Sequence, residues 1–357
     1  MPEPLKIAVA GLGRMGWIHA QHVVELARET GSCTLVAVAD VSAERREKFA
    51  AAHGLNVPMF ATVDELADAQ VCQATVVVTP TEKHREHATR LIAAGHRVLV
   101  EKPLTGNLAG DREFAAELDS GHPNALMLAF QRRYDEALQF ARELMQSGAI
   151  GPVFKIYSAL EDSGPAPNGY QSDGILSDMS IHNVDEILWL TGQMPETALA
   201  VGSRTYSHRL TTCTEDFDDA VLFMWFPGEL TAQIQVTRNH VSGYRVESAI
   251  FGEQGHIRIG RFAQRPDEVL VEAFGPRFTA EPILQRVFSV LPDVPGQAEF
   301  VARFGRSYKA EVLAFVQCCR KDEPFPITHR DGLRAQEVIA AGMRKMLTRA
   351  EGARVGE

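Results

Sequence analysis

Short apolar runs alternate with longer amphipathic stretches through the first third of the chain. The apolar runs, which predict strands, occupy residues 5–10, 34–39, 71–78, 97–100 and 125–129. Stretches with apolar residues at helical spacing, which predict helices, lie between them at 17–29, 82–94 and 109–118. Because strands and helices in alternation are typical of α/β folds, we predict a doubly wound parallel sheet over residues 1–130.

Beyond residue 148, β-type runs follow one another with Pro-Gly and Gly-Pro turns between them. The runs that predict strands are 153–160, 197–206, 220–226, 230–237, 245–251, 256–259 and 268–272. Two stretches near the end, 296–320 and 332–350, predict helices. We therefore predict a second domain of the α+β class over residues 131–357, with a last helix that could pack back on the first domain.

Residues 176–190, which read LSDMSIHNVDEILWL, lie within this second domain and predict one continuous helix. Asp178, His182 and Asp185 stand at positions i, i+4 and i+7, so they share one face of an α-helix. Apolar residues such as Ile181 and Ile187 anchor the rest of the segment. A carboxylate, an imidazole and a second carboxylate in line can transfer a proton or form a structural hydrogen-bond cluster. The segment alone leaves both alternatives open.

The sequence GLGRMG joins the first predicted strand to the first predicted helix. Its glycines, Gly11, Gly13 and Gly16, permit a tight turn, approach of the backbone to a pyrophosphate, and close helix–strand packing. The start of the helix offers free N–H groups and partial positive charge to phosphates. We therefore predict a Rossmann domain whose dinucleotide site includes Arg14 and Met15 with the three glycines.

Asp40 ends the second predicted strand, a little beyond the roughly 20-residue spacing expected of the acid that binds the adenosine ribose. A carboxylate there binds the ribose hydroxyls and repels a 2′-phosphate, so NAD is favoured over NADP. Arg45 and Arg46 follow closely and would weaken that preference if they reached the site. We predict instead that they belong to the solvated face of the next helix.

Polar side chains follow the runs at 71–78 and 97–100. They are Thr79, Thr81, His84, Glu101 and Lys102. Ligands of doubly wound sheets bind at the carboxyl ends of the strands, so we predict that these five residues lie beside the nicotinamide half of the cofactor. Lys102 stands between a buried strand and a rigid proline, which favours a functional role over that of an ordinary surface lysine.

Composition and charge narrow the class of partners. The net charge of −10 argues against nucleic acid and anionic membranes. No apolar run approaches the roughly 20 residues that cross a bilayer, and the first residues lack the features of a signal peptide. The five scattered cysteines include no CxxC pair, so neither a disulfide framework nor a zinc site is indicated. We expect a cytoplasmic protein without a bound metal.

Several motifs together resemble the Gfo/Idh/MocA oxidoreductase family. They are GLGRMG, TPTEKHREHA from residue 79, VLVEKPL around Lys102, QRRYD at 131–135, DMSIHNVD in the central helix and FGRSYKAE from residue 304. Within the family, the chain is most similar to the inositol dehydrogenases and their sugar-dehydrogenase relatives. The resemblance implies that the second domain is built on a large, mostly antiparallel sheet. It also implies that the exposed face of this sheet makes homodimer or homotetramer contacts.

The same resemblance implies hydride transfer between NAD and a secondary hydroxyl of a cyclic polyol or sugar. His182 would take the hydroxyl proton, Lys102 would stabilise the developing alkoxide, and Asp178 would hold imidazole and substrate in register. Two alternatives remain: a redox-assisted glycosidase that recycles bound NAD, and a non-enzymatic regulator that senses dinucleotide. The intact set of three residues argues against the regulator.

Substrate contacts are predicted from Asp178, His182, Arg132, Tyr170 and Tyr244. Arg132 could equally form an ion pair, the loop of Tyr170 could be an ordinary exposed turn, and Tyr244 could pack within the sheet. Two departures from the family, Leu160 in a strand and Gln131 in the QRRYD motif, weaken the case for myo-inositol itself. A cyclic polyol or pyranose remains the predicted class of substrate.

Overall fold

The structure is a computed structural model of the 357-residue chain. It describes residues 3–164, 174–204, 217–238, 240, 242–260, 268–276, 281–292, 297–344 and 346–347. The chain divides into two compact units. The first unit contains Met1–Gln131 and Ser307–Leu333, and the second contains Arg132–Arg306 and Arg334–Glu357. The limits drawn from the sequence, 1–130 and 131–357, stay a prediction about domains.

A six-stranded sheet with the order β3-β2-β1-β4-β5-β6 forms the centre of the first unit. Its strands are β1 (Leu5–Ala10), β2 (Cys33–Ala39), β3 (Met59–Phe60), β4 (Ala74–Val77), β5 (Arg97–Glu101) and β6 (Leu126–Ala129). Every pairing is parallel. The order reverses between β1 and β4, as it does in a Rossmann fold. The predicted doubly wound parallel sheet is confirmed.

Five helices of the described chain accompany this sheet, and three of them begin at a capping side chain. The five helices are α1 (Arg14–Thr30), α2 (Ala43–His53), α3 (Val63–Ala69), α4 (His84–Ala93) and α5 (Leu108–Gly121). Ser42, Thr62 and Asn107 each accept a hydrogen bond from a backbone N–H in the first turn of α2, α3 and α5. Such a bond satisfies one of the N–H groups that the start of a helix leaves without an intrahelical partner.

The strands of the first unit form its hydrophobic core. Ile7, Val9, Val76 and Leu99 are fully buried, and all four residues of β4 are buried. Parallel strands covered by helices on both faces read as continuous apolar runs rather than alternating ones. The apolar runs in the first third of the sequence therefore mark the strands of this sheet.

The second unit is built on an eight-stranded sheet with the order β14-β13-β12-β11-β7-β10-β9-β8. Its strands are β7 (Val153–Glu161), β8 (Thr197–Ser203), β9 (Asp219–Trp225), β10 (Thr231–Thr237), β11 (Arg245–Gly252), β12 (Gly255–Gly260), β13 (Glu268–Phe274) and β14 (Leu284–Ser289). The pairing of β7 with β10 is parallel, and the other pairings are antiparallel. The large, mostly antiparallel sheet that the resemblance implied is therefore confirmed.

Four further helices complete the described chain in and around this unit. They are α6 (Glu136–Gln146), α7 (Ile181–Thr191), α8 (Glu299–Lys321) and α9 (His329–Met343). The residues of α8 and α9 are each divided between the two compact units. Helix α7 packs on β7 and β10 at the centre of the sheet, and Ile181, Val184 and Ile187 are fully buried. Among the described residues, no helix is both long and apolar enough to cross a membrane.

The central segment differs from the single α-helix that we predicted. Leu176–Ser180 form a π-helical turn, and α7 begins only at Ile181. A π turn takes one more residue than an α turn because its hydrogen bonds run from i to i+5. The hydroxyl of Ser180 donates to the carbonyl oxygen of Leu176, a local bond that competes with the regular helical ladder. The prediction of a continuous α-helix was therefore wrong in its first turn.

A buried histidine on α1 makes the stability of the fold depend on pH. Burial, helped by the neighbouring His19, lowers the pKa of His22 to about 4. The unfolded chain takes up this proton near pH 6.5, so it binds more protons than the folded chain between pH 6.5 and 4. Stability therefore falls as the pH drops through that window, and below it the loss caused by His22 is complete and no longer changes with pH.

The free energy of unfolding of the wild type falls between pH 7 and pH 5, in part because of His22. We predict that this fall is smaller by about 2 kcal/mol in His22→Gln. Denaturant unfolding of wild type and variant at the two pH values measures this difference. His122→Gln, at an exposed position, is the control substitution. A His22→Gln variant that loses as much stability as the wild type would contradict the assignment.

Candidate active site

The loop between β1 and α1 requires glycine at both ends. Gly11 has φ +91°, and a Cβ there would overlap the carbonyl oxygen of Val78. A Cβ on Gly16 would overlap the carbonyl oxygen of Gly11. Only glycine combines that backbone angle with so close an approach, so α1 can start directly against the end of β1.

The middle of the same loop is open. A Cβ on Gly13 would meet nothing within 4 Å. Gly13 is also the N-cap of α1, and no described side chain caps the helix. Arg14, which is exposed, and Met15, which is half-buried, form the first turn beside it. Free N–H groups at a helix start, next to an open backbone, suit a pyrophosphate.

Asp40 lies at the end of β2 and is bonded to this loop. One carboxylate oxygen accepts the N–H of Leu12 at 2.6 Å, and the other accepts the N–H of Ser42 at 2.8 Å. Arg45 and Arg46 lie on α2 as predicted, but both also reach Asp40. The guanidinium of Arg45 is 3.7 Å from its carboxylate, and Arg46 donates to its carbonyl oxygen. Two backbone bonds thus fix the carboxylate beside the glycine loop, and these residues fit the adenosine half of a dinucleotide.

His84 connects the segments that follow β4 and β5. Its Nδ1 lies 2.9 Å from the carbonyl oxygen of Pro103, and its Nε2 lies 2.9 Å from that of Thr79. The Thr79 hydroxyl is 2.9 Å from Nδ1 of His87, and Thr81 is half-buried in the adjoining 3-10 turn. Both nitrogens of His84 are engaged by the protein, so it positions these segments. Direct contact of His84 with a cofactor stays a prediction.

Glu101 and Lys102 stand at the carboxyl end of β5. One Glu101 oxygen is 2.7 Å from Nε2 of His19, and the other accepts the backbone N–H of Lys102 at 3.0 Å. Burial acts to raise the pKa of Glu101. The His19 hydrogen bond and the charge of Lys102 outweigh it, so the pKa is lower than that of an ordinary glutamate. The Lys102–Pro103 peptide bond is cis. Lys102 itself is half-buried.

In the second unit, the π turn and the start of α7 carry Asp178 and His182. Arg238, which follows β10, donates to the Asp178 carboxylate at 3.1 Å, and the Arg238 side chain is 5% exposed. His182, one turn later, is buried except for 9% of its surface. A buried guanidinium therefore holds the predicted carboxylate of the acid–imidazole pair in place.

Two arginines of the QRRYD motif bind carboxylates on α7. Arg133 donates to both oxygens of Asp185 at 3.0 and 2.5 Å, so Asp185 is a hydrogen-bond acceptor. Arg132 forms an ion pair with Glu186 at 2.9 Å, with side chains only 2% and 1% exposed. Nε and Nη2 of Arg132 are buried without a hydrogen-bond partner among the described residues. The hydrogen-bond capacity of Arg132 is therefore not used up by Glu186.

The buried pair is embedded in a hydrogen-bond network between α7 and the sheet. Ser248 donates to Glu186, and its hydroxyl lies 3.0 Å from that of Ser158. Asn183 donates to Ser158 at 2.7 Å. The network joins β7, β11 and α7, and buried polar networks rigidify the elements that they connect.

Tyr244 precedes β11 and is half-buried. Burial raises the pKa of its phenol, Arg132 opposes the rise, and Asp162 adds to it. The hydroxyl therefore stays protonated and can both donate and accept hydrogen bonds. Tyr170, the other predicted substrate tyrosine, lies outside the described residues.

Sequence reasoning missed Arg238, Glu186 and His19. Each is buried and is bonded to a partner more than 50 residues away in the sequence. The signal that could have found Glu186 is its place within the apolar run of the central helix. Nothing in the local sequence marks Arg238 as the partner of Asp178.

The described ranges contain no group of three His, Cys, Asp or Glu side chains arranged for a metal ion. The chemistry of the side chains suits a dinucleotide and an alcohol instead: an open glycine loop, a carboxylate at the end of β2, and a carboxylate and an imidazole one turn apart. This combination defines a nicotinamide-dependent oxidoreductase.

Comparison with family models agrees with this class. The model described as the oxidoreductase family with an NAD-binding Rossmann fold matches residues 5–128. The GFO/IDH/MocA C-terminal domain model matches residues 138–258. The chain belongs to the Gfo/Idh/MocA oxidoreductase family. The predicted family and NAD as cofactor are thus confirmed.

Relatives match across nearly the whole chain. Inositol 2-dehydrogenase of Rhizobium meliloti (strain 1021) is 26% identical over 345 residues, which cover 96% of this chain and 97% of the relative. scyllo-Inositol 2-dehydrogenase (NAD(+)) of Bacillus subtilis (strain 168) is 27% identical, with 96% and 94% covered. The structure of scyllo-inositol dehydrogenase from Lactobacillus casei with bound NAD(H) and scyllo-inositol has a TM-score of 0.79 and 25% identity, with 96% and 97% covered.

We predict that Asp40→Ser lowers the preference for NADH over NADPH by about 10- to 100-fold, the usual worth of a hydrogen bond to a charged group. The substitution removes both the ribose acceptor and the repulsion of a 2′-phosphate, and it leaves Arg45 and Arg46 in place. Fluorescence titration of each reduced cofactor measures the two dissociation constants.

Asp68→Ser, on an exposed face of α3, is the matched control and should keep the wild-type preference. Asp40→Asn separates charge from shape, because an amide retains an acceptor oxygen for one backbone N–H. An unchanged preference in Asp40→Ser would show that another residue selects the cofactor.

Proposed function

We propose that the protein is an NAD-dependent dehydrogenase that transfers a hydride between NAD and a secondary hydroxyl of a cyclic polyol or sugar, of the class to which inositol belongs. The observation that carries the proposal is the pair Asp178 and His182. Arg238 anchors Asp178 of this pair in a chain whose family has an NAD-binding Rossmann fold. The names of the relatives that match 96% of the chain support the same class of substrate.

Oxidation of a secondary alcohol breaks the C–H bond with its electron pair and removes the hydroxyl proton. NAD, when bound, supplies the hydride acceptor. His182 takes the hydroxyl proton, since imidazole is the side chain most often used for this step. Lys102 places an ammonium charge beside the oxygen and stabilises the developing alkoxide. Asp178, held by Arg238, orients the imidazole and the substrate hydroxyl.

The charges around α7 favour a neutral substrate. Among the described residues, three guanidinium groups bind carboxylates of this segment: Arg132 with Glu186, Arg133 with Asp185 and Arg238 with Asp178. A fourth, Arg142, lies over the ring of Trp189 near the other end of α7. A ligand with its own carboxylate or phosphate would need an uncompensated cation. Hydroxyl groups need only donors and acceptors, which suits a polyol.

Individual substrate contacts are part of the proposal. The two unengaged donors of Arg132, the protonated hydroxyl of Tyr244, and the side chains of Asp178 and His182 supply donors and acceptors for several ring hydroxyls. Tyr170 joins them only by the family resemblance. Leu160 is buried and apolar, and it stays a departure that argues against myo-inositol itself.

We predict that the wild type reduces NAD with at least one member of a panel of inositols, aldoses and anhydrosugars, followed by nicotinamide absorbance. Lys102→Ala and His182→Ala should each lower turnover by about 10²–10⁴-fold, the usual contribution of a positioned acid or base. NADH binding should survive in both variants, because neither change touches the glycine loop or Asp40.

Matched controls are Lys83→Ala, an exposed lysine paired with Glu86, and His122→Ala, an exposed histidine. Both should keep wild-type turnover. Near-normal turnover in Lys102→Ala and His182→Ala would remove the mechanism. A wild type that binds NADH yet reduces no NAD across the panel would favour the redox-assisted glycosidase, which shows no net cofactor turnover.

We also propose a homodimer or homotetramer formed through the open face of the second sheet. Ala220, Leu222 and Met224 on β9 are buried against the protein. The alternate residues face the other way, and Trp225 is 41% exposed with its ring 4.5 Å from that of Phe223. Exposed aromatic rings on a sheet face are typical of a surface that another subunit covers.

We predict that Trp225→Glu reduces the oligomer to a smaller species, because burying a carboxylate in an apolar interface costs the free energy of its desolvation. Light scattering coupled to size-exclusion chromatography measures the mass. Met59→Glu changes a residue of similar exposure, 44%, in the first unit, and is the control. An unchanged mass for Trp225→Glu, or a monomeric wild type, would contradict the proposed interface.

The domain limits and the location in the cell follow the same proposal. Residues 1–130 would bind the dinucleotide, and residues 131–357 would bind substrate and a second subunit. Cys33, Cys72, Cys318 and Cys319 are free thiols, as expected in a compartment where disulfides are rare. This supports the cytoplasm as the location.

A further inference from the structure

A chain of two hydrogen bonds connects the first helix to the backbone of Lys102. His19, one turn into α1 and fully buried, lies with Nε2 2.7 Å from a carboxylate oxygen of Glu101. The other oxygen of that carboxylate accepts the N–H of Lys102 at 3.0 Å. The carboxylate therefore joins an imidazole of α1 to the peptide that precedes the Lys102 side chain.

The surroundings of His19 decide which ring nitrogen carries the proton. Its Nδ1 is buried without a hydrogen-bond partner among the described residues. A proton on Nδ1 would bury an unsatisfied donor and turn the Nε2 lone pair toward a carboxylate. A neutral ring therefore places its single proton on Nε2 and donates it to Glu101.

Packing fixes the direction of this bond. The ring of Tyr308 meets the His19 ring edge-on, with centroids 5.7 Å apart and planes at 85°. The Glu101 carboxylate is 7% exposed, so little water can replace a lost donor. A leucine at position 19 would fill the space and leave that carboxylate oxygen without its partner.

We propose that His19 is a positioning residue for hydride transfer. Acting through Glu101, it fixes the Lys102 peptide and hence the place of the ammonium group. The inference rests on the proposed function, because it concerns the step in which Lys102 stabilises the alkoxide. His22 offers a matched comparison: it is on the same helix and also buried, but its ring contacts Glu25 instead of Glu101.

The test compares His19→Leu, His19→Gln and His22→Leu in steady-state kinetics with NAD and the best substrate of the wild type. His19→Leu should lower kcat by about 10- to 100-fold, the scale expected when a reacting group is displaced by about 1 Å. KM for the substrate and the NADH dissociation constant, from fluorescence titration, should change by less than about threefold. His19→Gln should recover most of kcat, because its amide N–H can replace the Nε2–H. His22→Leu should keep wild-type kcat.

A second comparison isolates the route through Glu101. In a Glu101→Gln background, His19→Leu should lower kcat by no more than about twofold. The reason is that the effects of two substitutions do not add when one residue acts through the other. The inference would be overturned if His19→Leu lowered kcat in that background as much as it does in the wild type. It would also be overturned if His19→Leu alone kept wild-type kcat, or if His19→Gln lost as much kcat as His19→Leu. Failure of the proposed function would appear differently, as a wild type that reduces no NAD with any polyol or sugar, and the inference would fall with it.

Discussion

The site of the first unit depends on the contact between Gly16 and the carbonyl of Gly11. Because neither residue has a side chain, α1 can begin directly against the end of β1. That start places the first N–H groups of α1 beside the open backbone of Gly13. It also brings the N–H of Leu12 to Asp40. The same start of α1 determines where His19 lies relative to Glu101. A backbone constraint of a few residues therefore aligns the proposed phosphate site, the proposed ribose acceptor and the bonds that reach the Lys102 peptide.

Buried charge organises the second unit in a comparable way. Arg132 and Glu186 are almost fully buried, and transfer of two charges from water is costly, so this pair is poor evidence for stability as such. Its value lies in specificity of position, since removing one partner of a buried pair costs about 3–5 kcal/mol and no shifted arrangement of α7 would satisfy both charges. With the Asp185 and Asp178 pairs, it fixes the segment that presents the acid and the imidazole. In the same arrangement, Arg132, Arg133 and Arg238 are each neutralised by a carboxylate.

Much of this architecture could be predicted from the sequence. Strands buried on both faces read as apolar runs, and β1 begins and ends at the predicted residues. The glycine loop and Asp40 could be placed because their spacing reflects one local supersecondary unit. Strand β14 escaped prediction because it is mostly exposed and shows no alternation. The π turn escaped because it arises from Ser180 bonding its own helix rather than from periodicity. Arg238 and His19 escaped because their partners lie 60 and 82 residues away.

If this chain moves a hydride from a ring carbon to NAD, a label on that carbon must reach the cofactor. The enzyme is given NAD with scyllo-inositol, and separately with glucose, each fully deuterated on carbon, and the recovered cofactor is examined by mass spectrometry. We predict reduced cofactor that carries one deuterium on the nicotinamide ring with at least one of the two substrates. Recovery of only oxidised, unlabelled cofactor from enzyme shown to bind NADH would contradict it.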